Sequence, residues 1–203
     1  MNEKNYEEFI QYIYENIIIS HSTSILSFLD RIIPFISSKP NFSLPLPLNN
    51  KKIKIPQFTE TVEARKYEGC IYIEEIIFEL PSSITSIETS AFESCSSLTK
   101  IILPPSLEKI KDCAFKGCSS LTQLTIPPSV KTIGPFAFYQ CKMLAEIKIP
   151  SNIADIGYSA FEKCQSLIHL KIPILKEIKS STYNNCSSLQ EITIPSSVTS
   201  IGN

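Results

Sequence analysis

Residues Leu98 to Ser166 form three consecutive 23-residue units that match at every apolar position without a gap: LTKIILPPSLEKIKDCAFKGCSS, LTQLTIPPSVKTIGPFAFYQCKM and LAEIKIPSNIADIGYSAFEKCQS. Self-similarity at such a period marks a solenoid, because each unit can bury its apolar face only against its neighbours. Upstream, Glu75 to Ser97 fits the same pattern with Glu75 in place of the leading leucine. Downstream, Leu167 to Ser188 fits after one deletion near Ile174, and Leu189 to Asn203 supplies the first 15 positions. A more degenerate unit lies earlier, where Pro56 and Cys70 keep the 14-residue spacing seen between Pro150 and Cys164. The array is therefore expected to span residues 51–203, as about six to seven units with the last one truncated.

The consensus, L-x-x-I-x-I-P-x-S-V-x-x-I-G-x-x-A-F-x-x-C-S-S, divides into three physical pieces. Its first six residues alternate in character: Leu121, Leu124 and Ile126 face one way, Gln123 and Thr125 the other. That alternation predicts a short strand. Proline has no N–H for a ladder and belongs at a strand end, where Pro104, Pro127, Pro150, Pro173 and Pro195 all stand. Val130 and Ile133 then return apolar side chains to the core, and Gly134 or Gly157 suits a backbone turn. Ala137, Phe138 and Cys141 are spaced so that one turn of helix would bring them to a common face.

The strand followed by I-P-x-x-V-x-x-I and then A-F-x-x-C resembles the leucine-rich repeat in its BspA-like variant, over about three quarters of the chain. The resemblance implies an α/β leucine-rich-repeat solenoid, a β-rich right-handed horseshoe of parallel strands with the first strand of each unit on the concave face. One departure stands out. The ordinary repeat carries an asparagine after its strand that bonds between turns, whereas here Ser129 or Asn152 follows a proline.

Residues 1–38 lie outside the repeat. Tyr6, Phe9, Ile10, Ile13 and Ile17 recur at helical spacing, as do Ile25, Phe28, Leu29, Ile32 and Ile33 after the polar break at Ser20 to Ser24. Two amphipathic helices are expected, as a cap on the first rung, since solenoid ends require covering; the alternative is an adaptor docked on a partner. Residues 39–50 read as a proline-punctuated linker. The start of the chain is acidic and carries no recognisable secretory signal, and no stretch approaches the apolar length of a membrane span, so the default expectation is the cytoplasm, with the cell surface as the alternative.

Apolar residues make up 43% of the chain and the net charge is −1, with Lys and Arg dispersed; this composition can bury a core and lacks the clustered cations of a nucleic-acid surface. Six of the seven cysteines, Cys70, Cys95, Cys118, Cys141, Cys164 and Cys186, fall at one repeat position, with Cys113 apart. Cysteine packs as a small apolar residue, so this spacing predicts a core ladder of free thiols. Adjacent rungs are near enough for disulfides in an oxidising compartment, and that alternative stays open. There is no Cys/His cluster with zinc-ligand spacing, the two histidines, His21 and His169, have no motif around them, and no nucleotide-binding or catalytic signature is present. Neither a cofactor nor catalysis is expected.

Specificity is left to the outward strand positions. On the proline-anchored alignment the first column holds Ile77, Lys100, Gln123, Glu146, His169 and Glu191, and the second holds Glu79, Ile102, Thr125, Lys148, Lys171 and Thr193. Parallel strands in register would present these as one continuous surface, the usual binding geometry of solenoids. The expected function is a non-catalytic scaffold for a protein partner. The alternative is a cell-surface adhesin of the BspA-like type for host or matrix proteins, which the resemblance implies. The final unit lacks its A-F-x-x-C segment, so Ile192, Ile194, Val198 and Ile201 are expected to form an uncovered rung and a route to self-association.

Overall fold

The computed structural model describes residues 51–203; the two helices and the linker expected over residues 1–50 lie outside the described residues. The alternating first segment of each unit forms the first strand of its rung, longer than the second in every rung but that of β5: β1 (Lys52–Ile55), β3 (Glu75–Phe78), β5 (Lys100–Ile101), β7 (Gln123–Thr125), β9 (Glu146–Lys148), β11 (His169–Lys171) and β13 (Glu191–Thr193), together called the longer strands. The V-x-x-I segment forms a second, two-residue strand in each rung: β2 (Thr61–Val62), β4 (Ser86–Ile87), β6 (Lys109–Ile110), β8 (Thr132–Ile133), β10 (Asp155–Ile156), β12 (Glu177–Ile178) and β14 (Ser200–Ile201). Every pairing is parallel and joins one rung to the next. The array is a parallel β-solenoid of seven rungs.

The two stacks of strands are each interrupted once. The longer strands pair as β1-β3-β5 and as β7-β9-β11-β13, and the shorter as β2-β4-β6-β8-β10 and as β12-β14. The second interruption has a visible cause. Pro173 reaches the buried Leu175 in one residue fewer than Pro150 takes to reach Ile153, so β12 is offset from β10. No change in repeat length accompanies the gap between β5 and β7.

The register of the third strand differs from the proline-anchored expectation. Glu75 pairs with Lys100 and Ile76 with Ile101, whereas Ser86 pairs with Lys109. The offset is thus 25 residues before Pro81 and 23 after it, which places two extra residues, Glu79 and Leu80, between strand and proline. Burial explains why the chain yields there. With this register Ile73, Ile76 and Phe78 enter the core and Leu80 is left outside, 71% exposed; the other register would bury Glu75 in the leading apolar position.

The A-F-x-x-C segment does share one face, but it closes as tandem turns, without a helix. The amides of Ala91, Glu93 and Cys95 donate three residues back, to Glu88, Ser90 and Phe92. Those of Ser90, Phe92 and Ser94 instead donate forward to Asp112, Ala114 and Lys116 of the next rung, at 2.9, 2.9 and 2.6 Å. This alternation needs left-handed backbone on either side of the aromatic residue. It occurs at Ser90 and Ser94, at Cys113 and Gly117, at Phe136 and Gln140, and at Ser159 and Lys163. Non-glycine residues adopt that conformation at a cost of about 1–2 kcal/mol each, offset here by the inter-rung bonds.

Tyr67, Phe92, Phe115, Phe138, Phe161 and Tyr183 stack ring on ring through the core, with neighbouring centroids 5.3–5.8 Å apart. The four phenylalanines are completely buried. Gly134 and Gly157 serve close approach between rungs, and their φ angles are not positive. A Cβ on Gly134 would lie 2.6 Å from the Asp112 amide nitrogen, and one on Gly157 would overlap the Pro135 backbone. The side chain after the proline does bond between turns. Ser106 and Ser197 hydroxyls donate to the carbonyls of Ile84 and Leu175 at 2.8 and 2.7 Å, and the Asn152 amide donates to Pro128 at 2.8 Å; the buried Ser129 hydroxyl has no partner among the described residues.

Neighbours on both sides govern burial. Leu124, Ile147 and Leu170 occupy equivalent inward positions and are 3–5% exposed, whereas Ile192 in the last rung is 38% exposed. Within residues 51–203 of this chain, hydrogen exchange should accordingly be slowest from Leu98 to Ser166 and fastest beyond Leu189; uniform protection would contradict nearest-neighbour stabilisation. Phe138→Ala should lower stability by about 3–5 kcal/mol in denaturant melts, as large core truncations do, and Gln123→Ala should leave it nearly unchanged.

Candidate protein-binding face

On the longer strands, residues one apart point to opposite faces, and the outward set falls into two columns. The first runs Lys52, Glu75, Lys100, Gln123, Glu146, His169 and Glu191. The second runs Lys54, Ile77, Ile102, Thr125, Lys148, Lys171 and Thr193. Ten of the twelve residues expected from sequence take the columns assigned to them. Ile77 moves to the second column because of the two-residue insertion, and Glu79 follows the strand and drops out of both. Glu75, Lys52 and Lys54 join the face. The signal for them is the run Ile73, Ile76, Phe78, which matches L-x-x-I-x-I once the proline is released as the anchor.

The first column is largely self-compensated. Glu75 lies between Lys52 and Lys100, with N–O distances of 2.8 and 2.7 Å. Hydrogen bonds from Lys100 and Lys52 hold the Glu75 carboxyl below the usual carboxylate range, and the same contact raises the Lys52 ammonium. Beside them Lys51 bonds Glu74 at 2.5 Å. Further along, Lys148 meets Glu146 at 3.4 Å with both side chains more than half exposed, a contact worth little in water. Among the described residues Lys54 and Lys171 make no ion pair. His169 stands in register between Glu146 and Glu191. The gap between β5 and β7 opens a shallow groove of about 510 Å³ on this face, lined by Lys100, Ile102, Leu103, Thr125, Pro127 and Lys148. Ile102 is 72% exposed there.

The cysteine column belongs to the scaffold. All seven cysteines are free thiols, and five of them donate a hydrogen bond to the aromatic residue of the preceding rung. Cys95 Sγ donates to the Tyr67 carbonyl, Cys118 to Phe92, Cys141 to Phe115, Cys164 to Phe138 and Cys186 to Phe161, at 3.1–3.3 Å. Each of these carbonyls also accepts the amide of the cysteine in its own rung. The thiol therefore does more than fill an apolar slot, since it occupies the second lone pair of a buried carbonyl. Burial pushes the thiols of Cys70 and Cys186 up to about 11, and those of Cys95, Cys118, Cys141 and Cys164 higher still.

A seven-rung parallel solenoid with a strand, a proline and a second short strand in each rung, and an aromatic-cysteine turn in the first six, is a leucine-rich-repeat architecture. The chain belongs to the BspA type Leucine rich repeat region family, matched in six copies over residues 47–167 and 109–203. Families of this repeat are generally non-catalytic scaffolds that bind proteins. Its fold is similar to the crystal structure of a leucine-rich repeat protein of T. pallidum, with a TM-score of 0.70 and 28% identity over 74% of this chain and 72% of that one. It is also similar to a leucine-rich repeat protein of Bacteroides ovatus, with a TM-score of 0.58 and 25% identity, covering 80% of this chain and 53% of that one. A third, from Eubacterium ventriosum, shares the fold at 19% identity and a TM-score of 0.53, covering 75% and 57% of the two chains. No curated protein matches the sequence significantly. Among the described residues no helix is long and apolar enough to cross a membrane.

The thiol column gives the array an alkaline limit. Folding keeps these groups protonated above their ordinary range, so their contribution is complete below the unfolded-thiol value near ~8.5 and is lost as pH rises toward the folded values. Stability should therefore fall from about pH 8.5 upward, by up to ~1.4 kcal/mol per pH unit for each buried thiol that ionises on unfolding. Cys141→Ala should remain folded and show a shallower alkaline slope by about one proton; an unchanged slope in urea melts across pH 8–11 would remove the thiols from this role.

Proposed function

We propose that the protein is a non-catalytic interaction scaffold that binds a protein partner on the face of its longer strands. The observation that carries this reading is the display of two outward columns, in register over three rungs and again over the following four, variable in chemistry while the inward columns stay almost wholly apolar. A partner laid along the columns would meet residues from many rungs at once, held rigid by a core it does not touch. The groove between β5 and β7, with its exposed Ile102, supplies the apolar centre that a protein interface needs within a polar rim.

Affinity capture from the source cells with the full chain tests this. The double variant Gln123→Trp/Thr125→Trp fills the middle of the face and should lose the captured partner at unchanged circular dichroism. Lys131→Trp, an exposed change outside both columns, should keep it. Equal capture by the two variants would contradict the assignment of this face.

A further inference from the structure

We infer that the second column of this face is a docking strip for an acidic, extended segment of a protein partner, with one apolar side chain beside Ile102 and carboxylates toward Lys54 on one side and Lys148 and Lys171 on the other. This rests on the protein-binding reading above and names the chemistry of what is bound.

The charge distribution points to an acid. The second column, in order, is Lys54, Ile77, Ile102, Thr125, Lys148, Lys171 and Thr193, with three cations and no carboxylate. Of the carboxylates in the first column, Glu75 is enclosed by Lys52 and Lys100 and is only 15% exposed. The two columns together hold five lysines against three glutamates, on a chain whose net charge is −1. The face is thus cationic on a weakly anionic protein, and Lys54 and Lys171 have no ion pair among the described residues. Complementary charge of this kind selects partners and speeds their encounter.

Its spacing points to an extended chain. Rungs repeat at ~4.8 Å, so Lys54 and Lys148 each lie about two rungs, or ~10 Å, from Ile102. An extended peptide advances ~3.3 Å per residue, which puts matching carboxylates about three residues to either side of its apolar residue. Ile102 and the groove beside it, with Leu103 and Pro127 in its wall, give that residue a seat. Five dispersed lysines with no arginine and, apart from His169, no aromatic side chain on the columns offer little to stack on or fork a nucleic acid, so a peptide is favoured.

The test titrates the full ¹⁵N-labelled chain with a short synthetic peptide in which one leucine is flanked, three positions away on each side, by glutamates in a Gly/Ser background. Chemical shifts should move at Ile102, Thr125, Lys148 and Lys171. They should vanish when lysines replace the glutamates and weaken when serine replaces the leucine. Lys148→Glu with Lys171→Glu should lower affinity about ten-fold, and raising NaCl from ~0.05 to ~0.5 M should also weaken binding. No shift on this column, equal shifts with the lysine peptide, or stronger shifts with an oligouridine would overturn the proposal. In the capture experiment, loss of partner with Gln123→Trp/Thr125→Trp and retention with Lys148→Glu/Lys171→Glu would leave the face standing and remove its acidic specificity. Retention with both would remove the face itself.

Discussion

The structure depends on a single contact repeated between rungs: an aromatic carbonyl that accepts the cysteine amide of its own rung and the cysteine thiol of the next. Around it the aromatic rings stack 5.3–5.8 Å apart, and alternate turn amides reach forward to the following rung. Two buried hydrogen bonds and a face-to-face ring contact per rung cannot all be kept if one rung slides against another by a residue. Register is therefore set in the turns, on the side of the rung away from the outward columns. The longer strands inherit it, which is why Gln123, Glu146, His169 and Glu191 fall into line although nothing in their own chemistry requires it.

This separation of labour lets the face vary. Inward positions carry Leu124, Ile147 and Leu170 with little change, and the turn carries Phe, Ala and Cys. Outward positions carry acids, lysines, histidine, threonine and isoleucine without disturbing any of it. Variation in length is tolerated where the turn register is unaffected. The extra Glu79 and Leu80 are extruded ahead of Pro81, and the residue lost near Ile174 interrupts pairing of the short strands while Phe161 and Tyr183 still stack.

Much of the fold was legible in the sequence because one apolar pattern recurs over Leu98 to Ser166, and any account of it requires stacked, equivalent rungs. What was not legible had physical reasons. Two signals compete at Glu75 to Pro81, the fixed place of the proline and the alternation of Ile73, Ile76 and Phe78, and burial of the apolar residues prevails. Apart from Gly69 and Gly117, the left-handed turn positions are occupied by residues such as Ser90, Phe136, Gln140 and Lys163, so few local residues announce them. The thiol-to-carbonyl bonds were hidden because cysteine reads equally as a small apolar filler. For the candidate face, spacing alone gave the columns from Lys100 onward, whereas the membership of Glu75, Lys52 and Lys54 required the register of β1 and β3.

Register is the claim from which both the face and its chemistry follow, and engineered disulfides measure it directly. Paired residues on neighbouring parallel strands bring their Cα atoms to about 5 Å, within the range a disulfide spans. Glu75→Cys with Lys100→Cys should therefore cross-link under mild oxidation, whereas Ile77→Cys with Lys100→Cys should not, as read by non-reducing peptide mapping. Cross-linking of the Ile77 pair in place of the Glu75 pair would contradict the account.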